Sequence, residues 1–348
     1  MRVLAAAAFM VGLLAGPALA DSPILLSEFT YQTAPYPQSH ASTIAETKRG
    51  ALVAVWFGGT NEQAPDVGIW FSRKVGDSWQ TPVEVANGKQ IDGPQLPTWN
   101  PVLFQQPGSD LFLFYKVGPS PETWWGMVMR SSDDGQTWGM PQRLPDGILG
   151  PIKNKPVILS DGSWLAGSSV ESEAGWAVHF ERSEDHGLTW KATAAVPSPL
   201  HLDAIQPSIL FHKNGMLEAI VRTKQGVLGM TWSTDLGRTW GPLSAIDLPN
   251  PNSGTDAVTL ADGRQLLVYN PTAHEAARFG KGMRYPLNVA LSDDGVHWRP
   301  VLVLEDKPMP DGYAYPAVIQ TRDGLVHVTY TWNRVKIRHV VIDPKKLK

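Results

Sequence analysis

The sequence predicts an all-β fold, a six-bladed β-propeller of four-stranded antiparallel blades whose ring is closed by an N-terminal strand. Three observations support this prediction: a hairpin pattern repeated six times, a second turn motif that ends in tryptophan, and the regular spacing of both along the chain. The chain has 348 residues, which is enough to bury the core that six packed sheets require.

The first repeat is an apolar alternating strand, a tight turn containing glycine, and a second alternating strand. Period-two alternation around dipeptides such as Asp-Gly or Asn-Gly is typical of β-hairpins. The six copies begin at His40, Asn100, Lys153, Gln206, Thr255 and Tyr315, and their turn glycines are Gly50, Gly108, Gly162, Gly215, Gly263 and Gly324. The turn glycines are 48 to 61 residues apart, which predicts six units.

The second repeat is the eight-residue pattern Ser-x-Asp-x-Gly-x-Thr-Trp, complete at 131–138, 183–190 and 233–240. Degenerate copies end at Trp79, where Lys74 replaces the Asp, and at Trp298, where Leu291 replaces the Ser and Asp293 is the acidic residue. In this pattern the Asp can accept backbone N–H bonds, the Gly permits positive φ, and the Trp is expected to pack between neighbouring sheets. Hairpin, third strand, Asp-containing turn and fourth strand together make one blade.

The last unit has a third strand, roughly Val335 to Ile342, but no fourth strand before the final residue. We therefore expect the unassigned early strand around Ile24 to Tyr31 to complete blade six. Since no Pro/Ser-rich linker divides the chain, residues 21–348 are predicted to form a single domain.

The first 20 residues read as a secretory signal peptide: a positive start at Arg2, an apolar run from Val3 to Leu14, and the small-residue pattern Ala-Leu-Ala ending at Ala20. The apolar run is too short to span a bilayer, and no later stretch is long and apolar enough to do so. The sequence therefore predicts a periplasmic or secreted protein without a membrane span.

Composition excludes several classes of protein. With 43% hydrophobic residues the chain is not disordered, and without cysteine it has neither disulfides nor a Cys-ligated metal. A net charge of −3 indicates no nucleic-acid partner. Nine scattered histidines without a paired motif predict no metal cofactor, although a structural Ca²⁺ is compatible with the sequence. We expect a monomer.

The Asp-box motifs on a six-unit repeat resemble the sialidase (BNR repeat) superfamily, and the resemblance covers nearly the whole chain after residue 20. It implies a six-bladed propeller that acts on glycans. Because the boxes are scaffold elements that carry no chemistry, function has to be read from the site.

Strand direction predicts where the site lies, since first strands start and second strands end on the face opposite the hairpin turns and the boxes. A face lined by several cations suits a small anionic ligand, so we expect an acidic oligosaccharide or glycoconjugate as the partner. The candidate residues are His40, Asn100, Lys155, Gln206, Asp256 and Tyr315 at first-strand starts, Lys116, Arg222 and Asn270 near second-strand ends, and Glu62, Asp66, Glu171 and Arg284 in the loops to third strands.

The resemblance implies a role for three of these residues. Tyr315 stands where sialidases have their nucleophilic tyrosine, and Arg222 and Arg284 stand where they have two of three carboxylate-binding arginines. Two positions depart from the family pattern: His40 replaces the first arginine, and Gln206 replaces the glutamate that activates the tyrosine. Since an amide cannot take the proton of the phenol, the expected base for hydrolysis is missing. The acid is expected in the first-blade loop, at Asp66 or Glu62.

Three functions follow as alternatives. The first is an exported enzyme that cleaves the bond to a terminal carboxylated sugar by a non-standard route, with hydrolysis and elimination both open. One such route is elimination at a glucuronate, as in the related enzymes that split rhamnose from glucuronate. In that reaction arginines neutralise the carboxylate, and His40 and Tyr315 share the proton transfers. The second is an orthodox exo-sialidase, and the third is a non-catalytic glycan-binding propeller. Asn100 and Lys155 are candidate substrate contacts, and Trp99, Trp124 and Trp125 are candidates for sugar stacking or for packing alone.

Overall fold

A computed structural model describes residues 22–274 and 282–348, which form six antiparallel sheets in a propeller. The predicted signal peptide, residues 1–20, lies outside the described residues. Within the two described ranges, the helical structure is limited to the short 3-10 helix Pro344–Lys346, and no helix could cross a membrane. The all-β prediction is confirmed.

The blades follow the chain in order, each with its first strand innermost. Blades one to three contain β2 (Gln38–Glu46), β3 (Leu52–Gly59), β4 (Gly68–Val75), β5 (Ser78–Trp79) and β6 (Val83–Ala86); β7 (Thr98–Gln105), β8 (Leu111–Val117), β9 (Trp125–Ser131) and β10 (Gln142–Arg143); and β11 (Val157–Ile158), β12 (Trp164–Ser172), β13 (Gly175–Ser183) and β14 (Lys191–Ala192). Blades four to six contain β15 (Ala204–Phe211), β16 (Leu217–Thr223), β17 (Val227–Ser233) and β18 (Ser244–Pro249); β19 (Asp256–Thr259), β20 (Gln265–Tyr269), β21 (Leu287–Ser292) and β22 (Arg299–Glu305); and β23 (Tyr313–Gln320), β24 (Val326–Trp332), β25 (Lys336–Ile342) and β1 (Ile24–Phe29).

The N-terminal strand closes the ring as predicted. β1 pairs antiparallel with β25, so the last blade has strands from both ends of the chain. The Glu28 carboxylate in β1 accepts hydrogen bonds from His339, Lys74 and Trp79, which joins blade six to blade one. Burial raises the pKa of Glu28, but these three donors outweigh it and bring the pKa down to about 2. The closure is therefore held by a carboxylate that stays ionised.

Each complete Asp-box is a self-contained turn. In the first box, Asp133 accepts from the Thr137 backbone N–H at 2.8 Å and from its hydroxyl at 2.6 Å, and Gly135 N–H donates to Ser131 Oγ at 2.6 Å. The same bonds recur in the boxes at 183–190 and 233–240. Gly135 has φ +82°, and a Cβ there would lie 2.7 Å from the Phe71 ring of the preceding blade, so both conformation and packing require glycine.

The box tryptophans pack against the preceding blade, as predicted. Trp240 stacks on Phe180 with 3.7 Å between ring centroids, and Trp138 meets Phe71 edge-on at 5.9 Å. Trp79 contacts His339 of blade six at 5.3 Å. These contacts account for much of the tryptophan content as inter-blade packing.

Two details of the repeat differ from prediction. The box ending at Trp298 uses Ser292 and Asp294 rather than Leu291 and Asp293, because its turn is one residue shorter: Gly295 N–H donates to Ser292 three residues back instead of four. In blade three, Lys153 and Lys155 do not lie in a first strand, since β11 spans only Val157–Ile158.

The irregular segment that precedes β11 is held by buried charges instead of a strand ladder. The Glu181 carboxylate accepts from the N–H groups of Leu149 and Gly150 at 2.9 and 2.6 Å, and Lys116 donates to the Pro151 carbonyl at 2.9 Å. Backbone groups that lack ladder partners thereby remain hydrogen-bonded in the interior.

Both faces of the middle strands are buried between blades. In β16, Leu217, Ala219 and Val221 pack toward blade three, while Ile220 packs toward blade five. Glu218 shares the blade-five side: its Oε2 lies 2.8 Å from His212 Nε2, and its Oε1 has no hydrogen-bond partner among the described residues. Burial raises the pKa of Glu218 to about 7.

Glu218→Gln is expected to stabilise the protein at alkaline pH. Between pH 4.5 and about 7 the native Glu218 keeps a proton that the unfolded chain has released, so native stability falls as pH rises through this window. Above pH 7 the variant should be more stable by up to about 3 kcal/mol, and below pH 4.5 the two should differ little. Urea denaturation at pH 4.5 and 8 measures this, with Asp247→Asn, exposed on β18, as the control. Equal stability differences at both pH values would contradict the prediction.

Candidate functional site

A pocket of about 350 Å³ opens on the predicted face of the propeller. Four cations, two carboxyl groups, four side-chain amides and four aromatic rings contribute to its wall. The lining residues are Arg222, Lys224, Arg284 and Arg334; Glu62 and Glu171; Gln63, Asn100, Gln206 and Asn252; Trp99, Trp124, Trp176 and Tyr315; and Pro121. Excess positive charge and aromatic surface suit an anionic sugar.

Three of these side chains are directed into the pocket by the same backbone feature, a β-bulge. Asn100, Gln206 and Tyr315 have φ of 40°, 59° and 52°, and each precedes a proline in a first strand. At each of them the register with the second strand shifts, which marks a β-bulge. Positive φ is rare for residues with a side chain, and rarer before proline, so such strain is typical of functional sites.

Arg222, at the end of β16, is the most connected cation of the pocket. Its Nε donates to Asn252 Oδ1 at 2.7 Å, and its Nη1 donates to the Tyr315 hydroxyl at 2.7 Å. The guanidinium is also 5.4 Å from the Trp176 ring. These contacts hold it in a single orientation with its remaining surface toward the pocket.

Two further arginines approach the same tyrosine region. Arg284 has its guanidinium carbon 5.7 Å from the centre of the Tyr315 ring. Burial lowers the Arg284 pKa to about 10, which still leaves it charged at neutral pH. Arg334, in the turn between β24 and β25, forms an ion pair of 2.8 Å with Glu62. Together with Arg222 they can surround a carboxylate.

Arg334 is a pocket residue that sequence reasoning missed. The other candidates lie at second-strand ends of other blades. Arg334 follows the corresponding end of blade six, in Trp332-Asn333-Arg334. Its position on the same face was a usable signal. Trp176 and Lys224 were missed because both lie on hairpin ends of the adjacent blades three and four, without a recognisable motif.

The Tyr315 hydroxyl is surrounded by donors. Besides the hydrogen bond from Arg222, it accepts one from the Gln206 side-chain amide at 3.4 Å. No carboxylate among the described residues hydrogen-bonds it. Gln206, where a glutamate was expected, therefore changes the chemistry of the site. The tyrosine oxygen is placed to carry negative charge, and no neighbouring carboxylate among the described residues takes its proton.

His40 lies behind Tyr315 and not in the pocket wall. Its ring centroid is 4.2 Å from that of Tyr315, and its Nδ1 lies 2.9 Å from the Thr331 hydroxyl. Burial lowers its pKa well below the usual value, and the nearby cations Arg334, Arg284, Arg222 and Lys153 lower it further. His40 is thus a neutral imidazole packed against the tyrosine.

Glu171 is the carboxyl group with the most distinctive environment. It is the next-to-last residue of β12, lines the pocket, and is paired across the hairpin with Trp176. Burial raises its pKa, with opposing effects from Arg222 and Lys224 and smaller contributions from Glu122 and Glu62 that raise it further. A carboxyl group that holds its proton in a cleft is a candidate general acid.

Aromatic residues form two sides of the pocket. Lys224 Nζ lies 4.1 Å from the centre of the Trp176 ring, and the Arg222 guanidinium also faces that ring. Trp99 and Trp124 meet edge to face at 5.9 Å. Trp125 lies elsewhere, under the Arg143 guanidinium at 4.9 Å.

Besides His40, five of the predicted site residues lie outside the pocket wall. The Asp66 carboxylate accepts from the Thr60 N–H and hydroxyl within its own loop. Lys155 and Asp256 pair at 2.9 Å between blades three and five, where Asp256 also accepts from Val318 N–H of blade six. Lys116 holds the Pro151 carbonyl, and Asn270 donates to the carbonyls of Pro286 and Tyr313. Each of these five satisfies buried or loop polar groups in place of a ligand.

Within the described ranges, no cluster of three or more His, Asp or Glu side chains could hold a metal ion.

Sequence comparison matches residues 50–328 to the model of a family described as "BNR repeat-like domain". No curated protein matches the sequence significantly.

Solved structures with similar folds were also found. A protein of unknown function from Dyadobacter fermentans has a TM-score of 0.74 at 18% identity, covering 91% of this chain and 98% of the other. A mutant of the NanB sialidase of Streptococcus pneumoniae has a TM-score of 0.72 at 12% identity, covering 95% and 72%. Trypanosoma rangeli sialidase with 2,3-difluorosialic acid has a TM-score of 0.69 at 16% identity, covering 90% and 55%. At these identities the likeness concerns the fold.

Proposed function

The chain belongs to the BNR repeat-like domain family, and from this premise we propose that it is a glycan-cleaving enzyme that acts by β-elimination at a uronate whose O4 carries the terminal sugar. The carboxylate of the sugar would lie among Arg222, Arg284 and Arg334, with Trp176 or Trp99 against the sugar faces. The observation that carries the proposal is the Tyr315 hydroxyl, which has an arginine at 2.7 Å and no carboxylate partner among the described residues.

Elimination uses these groups in a balanced sequence. Arginine contacts neutralise the uronate carboxylate and make the adjacent C5–H acidic. Tyr315 reacts as the phenolate: its proton leaves to solvent before the substrate binds, Arg222 stabilises the charge, and the phenolate oxygen takes the C5 proton. The electrons form the C4=C5 double bond while the C4–O4 bond breaks, and Glu171 donates a proton to the departing oxygen. The products are an unsaturated uronate and the released sugar. Neutral His40 packs behind the tyrosine and would orient it.

A second candidate, sialoside hydrolysis, draws support from the fold shared with known sialidases and from the arginine cluster around a tyrosine. In sialic acid, however, the carbon next to the carboxylate carries no hydrogen, so the elimination described above is excluded. Hydrolysis with Tyr315 as nucleophile would start from the same phenolate, since Gln206 cannot accept the phenol proton in either reaction, and product analysis distinguishes the two.

The test is incubation of the protein with a glycan ending in rhamnosyl-glucuronate and, separately, with a sialoside. Elimination predicts an unsaturated uronate, detected by its ultraviolet absorbance, and free rhamnose. Free sialic acid would instead establish hydrolysis and overturn the proposal. Binding of either glycan without any product would show a glycan-binding propeller.

Glu171→Gln is expected to abolish the alkaline decline of activity. As general acid, Glu171 must be protonated, so the wild-type kcat/KM for the uronate substrate should fall as pH rises through its raised pKa. An amide has no proton to lose, so the variant should show a rate lower by about 10²-fold or more that does not decline in that range. The control is Glu173→Gln, exposed in the turn of the same hairpin. A variant profile parallel to that of the wild type would rule out Glu171 as the acid.

A further inference from the structure

We propose that Lys153 is a positioning residue for Tyr315, and that it positions the tyrosine by holding the carbonyl of the next residue, Pro316. It would thereby fix the backbone that carries the tyrosine into the pocket. The kinetic part of this inference rests on the proposed elimination, whereas its structural part does not.

Lys153 ties three blades together at the inner end of the sheets. Its side chain is buried, and Nζ donates to Pro316 O at 2.6 Å, to Thr255 O at 2.6 Å and to Asn154 Oδ1 at 2.7 Å. These acceptors belong to blade six, to the start of blade five and to its own segment. Since an ammonium group has three hydrogens, all of its donors are used.

The backbone at Tyr315 needs such support. Between Ala314 and Ala317 the register of β23 with β24 shifts, so the ladder between the two strands is interrupted at Tyr315 and Pro316. Tyr315 has φ 52° directly before a proline, a conformation that bulky residues rarely adopt. Strained conformations persist only when their surroundings hold them. At this point the Lys153 ammonium donates to the carbonyl of Pro316.

The segment that carries Lys153 is itself firmly anchored. Glu181 and Lys116 hold it at residues 149–151, and the Asn154 side chain donates to the Gln206 carbonyl at 2.8 Å. Lys153 is a left-handed residue too, with φ 65°. Its neighbour Gly254 leaves it room, since a Cβ there would lie 2.8 Å from Lys153 Cε. The lysine thus connects an anchored segment to the strained residue that bears the phenol.

The test compares Lys153→Met with wild type by crystal structure and kinetics. Methionine keeps the length and apolar stem of the side chain but donates no hydrogen bond. We expect the Tyr315 hydroxyl to leave its 2.7 Å contact with Arg222. On the uronate substrate we expect kcat to fall by about 100-fold with KM unchanged, as for a displaced reacting group whose binding site is intact. Lys153→Gln retains a hydrogen-bond donor, so both the displacement of the Tyr315 hydroxyl and the loss of kcat should be smaller. This variant is used if the methionine variant does not fold.

Lys74→Met is the matched control, because Lys74 is a largely buried lysine that joins blades one and six at the box end of the propeller. It should lower stability without moving Tyr315 or kcat. A Lys153→Met structure with Tyr315 still hydrogen-bonded to Arg222 would overturn the inference. If only Lys153→Gln folds, the inference is overturned by a structure in which the hydrogen bond to the Pro316 carbonyl and the Tyr315–Arg222 hydrogen bond do not persist or disappear together. If wild type turns over neither glycan, the proposed elimination fails, and the structural comparison still decides the role of Lys153.

Discussion

Tyr315→Phe is expected to lower kcat on a rhamnosyl-glucuronate glycan by about 10²- to 10⁴-fold, the usual contribution of a positioned general base. Phenylalanine keeps the ring that packs on His40 but loses the oxygen that receives the Arg222 Nη1 hydrogen bond at 2.7 Å. Since the arginine cluster remains, the affinity for free glucuronate should change little. Initial rates of unsaturated-uronate formation and calorimetric titration with glucuronate measure the two quantities.

Tyr313→Phe provides the comparison for that experiment. Tyr313 lies in the same strand, two residues earlier, and its buried hydroxyl donates to the Lys307 carbonyl at 2.9 Å, away from the pocket. Its loss should affect stability alone. A Tyr315→Phe enzyme with wild-type kcat would exclude the tyrosine from proton transfer and would leave the proposed elimination without its base.

Arg222→Lys is expected to weaken glucuronate binding by about 30-fold or more. Removing one partner of a buried, hydrogen-bonded charge pair commonly costs about 2–5 kcal/mol, and each 1.4 kcal/mol is a factor of about ten in affinity. A lysine ammonium cannot reproduce the fork that reaches both Asn252 and the Tyr315 hydroxyl while a carboxylate is bound. Both Arg222→Lys and Tyr315→Phe should lower kcat. Only Arg222→Lys should also raise the Kd for glucuronate.

The control for this substitution is Arg238→Lys, an exposed arginine in the blade-four box, whose Nη1 donates to the Asp235 carbonyl. It should bind glucuronate as the wild type does. Unchanged glucuronate affinity in Arg222→Lys would mean that the carboxylate does not bind at the arginine cluster, so the anionic-sugar assignment would fail together with the reaction.

The repeat could be predicted from the sequence because each blade encodes its own local structure. The turn glycines, the alternation of apolar residues and the Asp-box hydrogen bonds all act within one unit, so six similar segments imply six similar sheets. The one misassigned box shows where this local reasoning ends. At 291–298 the register that starts at Leu291 has no serine hydroxyl, and the shorter turn through Ser292 and Asp294 supplies one, to which the Gly295 N–H donates.

The site could be predicted only in part. The direction of the strands was enough to indicate the face, and Arg222, Arg284, Tyr315, Gln206, Asn100 and Glu62 do come together there. Which side chain of a strand start enters the pocket depends on the bulge, which reverses the inside–outside alternation at one residue. In blade three, residues 153 and 155 precede β11 and no strand ladder sets this alternation, so Lys155 pairs with Asp256 between blades while Lys153 reaches the carbonyl of Pro316.

The sequence by itself therefore determined the all-β repeat, the closing strand and the face on which the pocket opens, since these depend on patterns within single blades. The tertiary structure alone decided that Arg334 joins the arginines, that His40 lies buried behind Tyr315, and that Glu171 is a pocket carboxyl group with a raised pKa. Those outcomes depend on how six blades converge, because burial and the charges of neighbouring blades are set by residues far apart in the chain.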